Sequence, residues 1–94
     1  MFEIQVQPQG TVRLAGRLDA AEAERAHRTL STIDGPVTFD CSELDYISSA
    51  GIGVLIETYK RIHSAGHEVR FVGMLPRVRS IFAYAGLDRV LNID

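Results

Sequence analysis

The first fourteen residues place apolar and polar side chains in alternation. The apolar positions are Phe2, Ile4 and Val6, then Val12 and Leu14, with Pro8-Gln9-Gly10 between the two groups. Alternation with a period of two is typical of a strand with one buried face, and a proline close to a glycine is typical of a turn. The pattern therefore predicts a β-hairpin at the start of the chain.

Apolar residues then recur every three or four positions, which is the spacing of one face of an α-helix. In the segment LDAAEAERAHRTL, Asp19 stands three residues before Glu22, the spacing of a capping box at a helix start. The sequence Asp34-Gly35-Pro36 is typical of a helix end. We predict a first helix after Asp19, with four apolar residues on its inner face: Ala23, Ala26, Leu30 and Ile33.

The same spacing predicts two further helices. The second follows Ser49 and ends at Ala65-Gly66, and its Glu57 is placed to pair with Arg61 one turn later. The third begins at Pro76, because proline is favoured in the first turn of a helix. The residues expected to face inward are Ile52, Leu55, Ile56, Tyr59 and Ile62 in the second helix and Val78, Ile81, Phe82 and Ala85 in the third.

Three stretches of high β-propensity alternate with these helices: VTFDC, EVRFVG and RVLNI. Together with the hairpin they give the element order ββαβαβαβ. Repeated alternation of strand and helix implies parallel strands joined by right-handed crossovers. We therefore expect an α/β fold in which a mixed, mostly parallel sheet packs against helices. A single domain over residues 1–94 is expected, since no linker or repeat interrupts the pattern.

The charge balance argues against a polyanionic partner. Ten lysine and arginine residues stand against twelve aspartate and glutamate residues, for a formal net charge of −2, so no basic surface is expected to collect nucleic acid phosphates.

Asp40, Glu43 and Asp45 predict a solvated acidic loop rather than a cation site. Cys41 is the only cysteine, and no apolar run reaches the ~18 residues of a membrane span. We expect a cytoplasmic protein without membrane insertion or direct nucleic acid binding.

The segment SSAGIG, residues 48–53, is the best candidate for chemistry. A hydrolase nucleophile elbow has a glycine two residues before its serine, whereas Ser49 has Ile47 there. Gly51 and Gly53 lack both the third small residue of a dinucleotide fingerprint and the Gly-Lys-Ser/Thr of a P-loop. The three histidines lack metal-ligand spacing. We therefore expect no enzymatic activity and no cofactor or metal.

Ser48 and Ser49 directly precede the second helix, where a side-chain oxygen can accept a hydrogen bond from a free backbone N–H group. One interpretation of the pair is simply a helix N-cap. A second follows from the helix dipole, because a phosphate esterified at this position would be stabilised by the helix N-terminus. The small residues Ala50, Gly51 and Gly53 would keep the first turn accessible to another protein.

These residues resemble the STAS domains of bacterial anti-sigma factor antagonists of the sporulation and stress-response type. The resemblance covers nearly the whole chain. GRLDA, from Gly16 to Ala20, is similar to the opening Gly-x-Leu-Asp turn of the family, FDCSELDYISSAGIGVL to its strand and phosphorylation loop, and LPRVRSIFAYAGLDRVLNI to its last helix and strand. In the family, the loop serine is phosphorylated by a partner anti-sigma factor that is also a protein kinase. That serine corresponds to Ser49.

The resemblance implies a partner switch. The unphosphorylated protein would bind the anti-sigma factor serine kinase and so free a sigma factor, phosphorylation of Ser49 would end that binding, and a PP2C-type phosphatase would restore it. The protein itself is expected to be a monomer. The surface implied to bind the partner is built from the Gly-x-Leu-Asp turn, the loop and the following helix, and its residues are Asp19, Asp40, Ser48, Ser49, Ala50, Gly51, Gly53 and Glu57.

One position departs from the family pattern, since Ser48 stands where the family has an aspartate before the phosphorylated serine. The second hydroxyl leaves open whether Ser48 replaces or joins Ser49 as the phosphorylation site. A different function is also open, because small STAS proteins also serve as constitutive, non-phosphorylated subunits of lipid-transport ATP-binding-cassette complexes. Members of that type more often carry threonine in the place of Ser49.

Overall fold

Strands and helices alternate after an initial hairpin. In the computed structural model, which describes residues 1–94, the elements are β1 (Phe2–Val6), β2 (Thr11–Leu18), α1 (Ala20–Leu30), β3 (Val37–Ile47), α2 (Ser49–Ser64), β4 (Val69–Val72), α3 (Pro76–Tyr84) and β5 (Asn92–Ile93). Short 3-10 turns lie at Pro8–Gly10 and Leu87–Arg89. The observed order of strands and α-helices confirms the prediction.

The five strands form one mixed sheet in the order β1-β2-β3-β4-β5. β1 and β2 are antiparallel, whereas each later strand pairs in parallel with the one before it. The predicted hairpin and mostly parallel sheet are therefore confirmed. β5 is shorter than the predicted strand RVLNI, because a 3-10 turn occupies Leu87–Arg89 and only Asn92 and Ile93 pair with β4.

β3 is longer than predicted and takes in the residues expected to form an acidic loop. Between the pairs Arg13–Asp40 and Ala15–Glu43, and again between Gly16–Leu44 and Arg17–Tyr46, β3 has one residue more than β2. These two extra residues interrupt the alternation of apolar and polar positions, so the segment SELDY does not have the pattern of a regular strand. The prediction of a loop over Asp40, Glu43 and Asp45 is wrong, because all three lie in β3.

One hydrophobic core takes residues from the sheet and from all three helices. The Phe39 and Phe71 rings of neighbouring strands stack with centroids 4.9 Å apart, and Phe82 of α3 lies 6.3 Å from Phe71. Leu55 of α2 is fully buried in the same cluster, as predicted. Of the positions predicted to face inward, Ala23 and Ile56 are half-buried and lie outside this cluster, and Ala85 is exposed.

The ends of α3 follow local sequence signals. Pro76 is its first residue, and Gly86, just after the last turn, has a φ of 75° that few residues other than glycine adopt readily. None of the three α-helices combines the length and apolar character that crossing a bilayer requires.

Candidate partner-binding site

The turn between β3 and α2 is held by Ser48. The Ser48 hydroxyl accepts a hydrogen bond from the Gly51 N–H at 3.2 Å, and the Ser48 carbonyl accepts one from the Ile52 N–H at 2.9 Å. The Ser48 N–H donates to the Leu18 carbonyl at 2.9 Å. Ser48 is therefore the N-cap of α2, and the cap interpretation applies to this serine alone.

Ser49 is the first residue of α2 rather than its cap. Ser49 and Ala50 are both exposed, whereas Ser48 is half-buried. The two serines are thus adjacent in sequence but differ in environment. The hydroxyl of Ser48 is engaged in the cap, whereas Ser49 is exposed in the first turn of α2, at the positive end of the helix dipole. Of the two hydroxyls, that of Ser49 is the more accessible to a modifying enzyme.

Gly51 and Gly53 have opposite surroundings. Gly51 is buried, and a Cβ placed on it would lie 2.7 Å from the Leu18 carbonyl oxygen, 2.8 Å from Leu18 Cγ and 2.9 Å from Ile47 Cγ1. A Cβ on Gly53 would meet no atom within 4 Å. The interpretation that both glycines keep the helix open to a partner is therefore wrong for Gly51, which lets α2 approach β2 and β3. For Gly53 the same interpretation agrees with the geometry, because the space beside this residue is open.

Asp19 lies beside this turn at the start of α1. Its carboxylate caps α1 by accepting from the Glu22 N–H at 3.2 Å. The expected capping box is half formed, because the Glu22 carboxylate instead pairs with Arg25 at 3.0 Å. Since Leu18, the residue before Asp19, accepts the hydrogen bond from Ser48, the N-termini of α1 and α2 are fixed side by side.

Glu57 faces α1 two turns along α2. Its carboxylate lies 2.6 Å from His27 Nε2, and both side chains are exposed. The expected pair between Glu57 and Arg61 is not formed, because the Arg61 guanidinium donates to the carbonyls of Leu30 and Ile33 at 2.8 Å each. The sequence pattern missed His27, whose position could have been found only by recognising that α1 and α2 are neighbours.

Asp40 lies apart from the other predicted partner-binding residues. It sits in the middle of the sheet, opposite Arg13 of β2 and Val72 of β4. The stretch of β3 from Asp40 to Ile47, the residue before Ser48, pairs with β2 from position 13 to position 18, which is roughly 17 Å at ~3.3 Å per residue. Hydrogen bonds from the backbone N–H and the hydroxyl of Ser42 hold the pKa of Asp40 below its ordinary value. The expectation that Asp40 belongs to the loop surface is therefore corrected.

The remaining titratable groups near β3 form local pairs or are buried. Arg77 of α3 donates to the Asp45 carboxylate at 2.9 Å, and Arg13 pairs with Glu43. Burial raises the pKa of the Cys41 thiol to about 12, which keeps it protonated. No three histidine, cysteine, aspartate or glutamate side chains cluster in a way that could hold a metal ion.

Residues 2–92 match the family model described as "Mlab, STAS domain". An anti-sigma-B factor antagonist of Listeria monocytogenes serovar 1/2a is 27% identical over 84 residues, covering 85% of this chain and 74% of that protein. BtrV of Bordetella bronchiseptica, provisionally named an anti-sigma factor antagonist, is 31% identical over 84 residues, covering 85% of this chain and 72% of that protein.

The fold is shared with the solved structure of the Bacillus cell fate determinant SpoIIAA in its phosphorylated form. The TM-score is 0.72 at 18% identity, and the match covers 100% of this chain and 91% of that chain. At this level of identity the likeness concerns the fold alone.

Proposed function

Because the chain belongs to the STAS domain family, as its motifs predicted, we propose that it is an anti-sigma factor antagonist whose binding to a kinase-type anti-sigma factor is controlled by phosphorylation of Ser49. The general role is supported by the relatives from Listeria and Bordetella that carry this name. The observation that carries the proposed switch is the contrast between an exposed Ser49 and a Ser48 whose hydroxyl caps the helix.

The position of Ser49 allows phosphorylation without loss of the fold. A phosphoserine carries about −1.5 to −2 charges at neutral pH, and negative charge is favoured at a helix N-terminus by the dipole. The hydrogen bonds that hold this turn belong to Ser48 and Leu18 rather than to the Ser49 side chain. The added phosphate therefore leaves α2 in place.

The same phosphate opposes partner binding. The exposed neighbours of Ser49 in the first turns of α2, Ala50 and Gly53, have small side chains or none, so the backbone of another protein can approach. A phosphate group placed in such an interface would lose water, and Asp19 at the adjacent N-terminus of α1 adds a further negative charge to this surface. The unphosphorylated protein binds the anti-sigma factor serine kinase, the phosphorylated protein does not, and a PP2C-type phosphatase resets the switch.

Phosphopeptide mapping after incubation with the kinase-type anti-sigma factor and ATP tests the site. Phosphate is expected on Ser49 in the wild type and in Ser48→Ala, and on neither serine in Ser49→Ala. Phosphate on Ser48 would move the site by one residue. Absence of phosphate from both serines would favour the other STAS role, a non-phosphorylated subunit of a lipid-transport ATP-binding-cassette complex.

Titration calorimetry against the same partner tests the effect of the charge. Ser49→Asp should weaken binding at least about tenfold, or ~1.4 kcal/mol, while its melting curve stays close to that of the wild type. Ser64→Asp is the matched control, because it adds the same charge to an exposed residue at the other end of α2. Equal weakening by both variants would attribute the effect to net charge and contradict control at Ser49.

A further inference from the structure

β1 is an outer strand of the sheet, so one of its edges has no neighbouring strand. The Arg17 N–H donates to the Met1 carbonyl at 3.1 Å, and the Gln7 N–H donates to the Thr11 carbonyl at 2.8 Å. Because hydrogen-bonded positions alternate along an antiparallel pair, odd-numbered residues of β1 direct their backbone groups toward β2. The residues that direct their N–H and C=O groups to the free edge are Phe2, Ile4 and Val6.

This edge has few of the features that normally prevent strand pairing. Between Phe2 and Val6 there is no proline, lysine or register shift. One side chain reaches the edge, since Arg25 of α1 donates to the Phe2 carbonyl at 2.6 Å, and that carbonyl has a second lone pair. Val6 is 50% exposed. Phe2 is buried and Ile4 half-buried, so the edge combines unpaired backbone groups with the exposed side chain of Val6 and part of that of Ile4.

The sequence of β1 is complementary to itself in one antiparallel register. A two-fold axis through Ile4 places Ile4 against its own copy, Phe2 against Val6, and Glu3 against Gln5. Apolar side chains then meet on one face, and on the other face each carboxylate meets an amide that can donate a hydrogen bond. An axis through Glu3 would place two carboxylates directly opposite each other. An axis through Gln5 would pair fewer residues.

We propose that β1 pairs in this register with β1 of a second copy of the chain, which joins two five-stranded sheets into one ten-stranded sheet. The interface is isologous, so every contact occurs twice. The dimer replaces the monomer expected from the sequence. The proposal is independent of the proposed function, because the paired residues, Phe2–Val6, include none of those assigned to the partner-binding surface.

Sedimentation velocity of the whole chain, from ~1 μM to ~1 mM, measures the dimer. Ile4→Pro removes an N–H that has no partner within the chain, and proline is tolerated on the free edge of an outer strand, so this variant should be folded and monomeric. Gln5→Lys places opposite charges across both symmetry-related pairs and should tighten the dimer Kd about threefold or more, whereas Gln5→Glu should weaken it by a similar factor. Ser64→Lys and Ser64→Glu, far from the edge, are the controls for net charge.

A chain that stays monomeric up to ~1 mM overturns the proposal. A dimer that persists in a folded Ile4→Pro variant also overturns it, and so does a dimer whose Kd responds equally to substitutions of Gln5 and Ser64. If Ile4→Pro does not fold, the opposite effects of lysine and glutamate at position 5, relative to those at position 64, decide the question.

Discussion

Gly51→Ala and Gly53→Ala add the same methyl group to the same helix two residues apart, yet we expect them to change stability in opposite directions. At Gly53 the new methyl group meets no atom within 4 Å. Alanine is favoured over glycine inside a helix by about 0.8–1 kcal/mol, somewhat less near the helix start. Gly53→Ala should therefore stabilise the protein by roughly 0.5–1 kcal/mol.

At Gly51 the same gain is outweighed by crowding. The methyl group would lie within 2.9 Å of two side-chain carbons and 2.7 Å from the Leu18 carbonyl oxygen. That carbonyl also accepts the hydrogen bond from Ser48, so α2 cannot move away without loosening the turn. Overpacking of this kind costs about 1–3 kcal/mol. We expect a net loss of stability of roughly 1–2 kcal/mol for Gly51→Ala.

Thermal denaturation followed by circular dichroism compares the two variants directly. In a domain of this size 1 kcal/mol corresponds to a change in Tm of about 4–8 °C, so the variants should melt at least ~6 °C apart, on either side of the wild type. Urea titrations provide an independent measure of the free energy of unfolding. Equal shifts of the same sign would refute the packing of Gly51 against β2 and β3 that the structure describes.

Other substitutions test the core, the cap and the buried thiol. Leu55→Ala should cost about 2–5 kcal/mol in a urea titration, and a loss below ~0.5 kcal/mol would mean that this face of α2 is not packed in the core. Ser48→Ala should cost about 0.5–2 kcal/mol through loss of the N-cap, whereas Ser49→Ala should cost less than ~0.5 kcal/mol; the reverse order in thermal melts would reassign the cap. Cys41 should react with a thiol reagent at pH 8 far more slowly in the native protein than in guanidinium chloride, since burial raises its pKa to about 12; equal rates would show an accessible thiol.

The sequence predicted the elements that have a regular period. The helix containing Leu55 and the hairpin containing Ile4 both repeat their apolar positions at the spacing of their secondary structure, because one face of each packs against the core. The end of β3 could not be recognised in this way. Its inward residues Leu44 and Ile47 are three positions apart, and only the pairing with β2 defines them as part of a strand.

The candidate site was predicted in part, because position in sequence does not specify orientation. The pattern identified Ser48 and Ser49 at the start of a helix but could not say which of them supplies the cap. It grouped Gly51 with Gly53, although one packs against the sheet and the other faces solvent. These differences depend on how α2 docks on β2 and β3, which is a tertiary property.

The two extra residues of β3 determine which of its positions face the core. Buried side chains fall on odd positions up to Cys41, on an even position at Leu44 and on an odd position again at Ile47. Each extra residue exchanges the two faces of the strand for the residues that follow it, and the second exchange restores the original alternation. Deleting one of them would exchange the inward and outward faces at the end of β3, and Ser49 would then follow from the opposite side of the sheet. Removing both would keep the orientation, so natural insertions and deletions in this segment should occur in pairs.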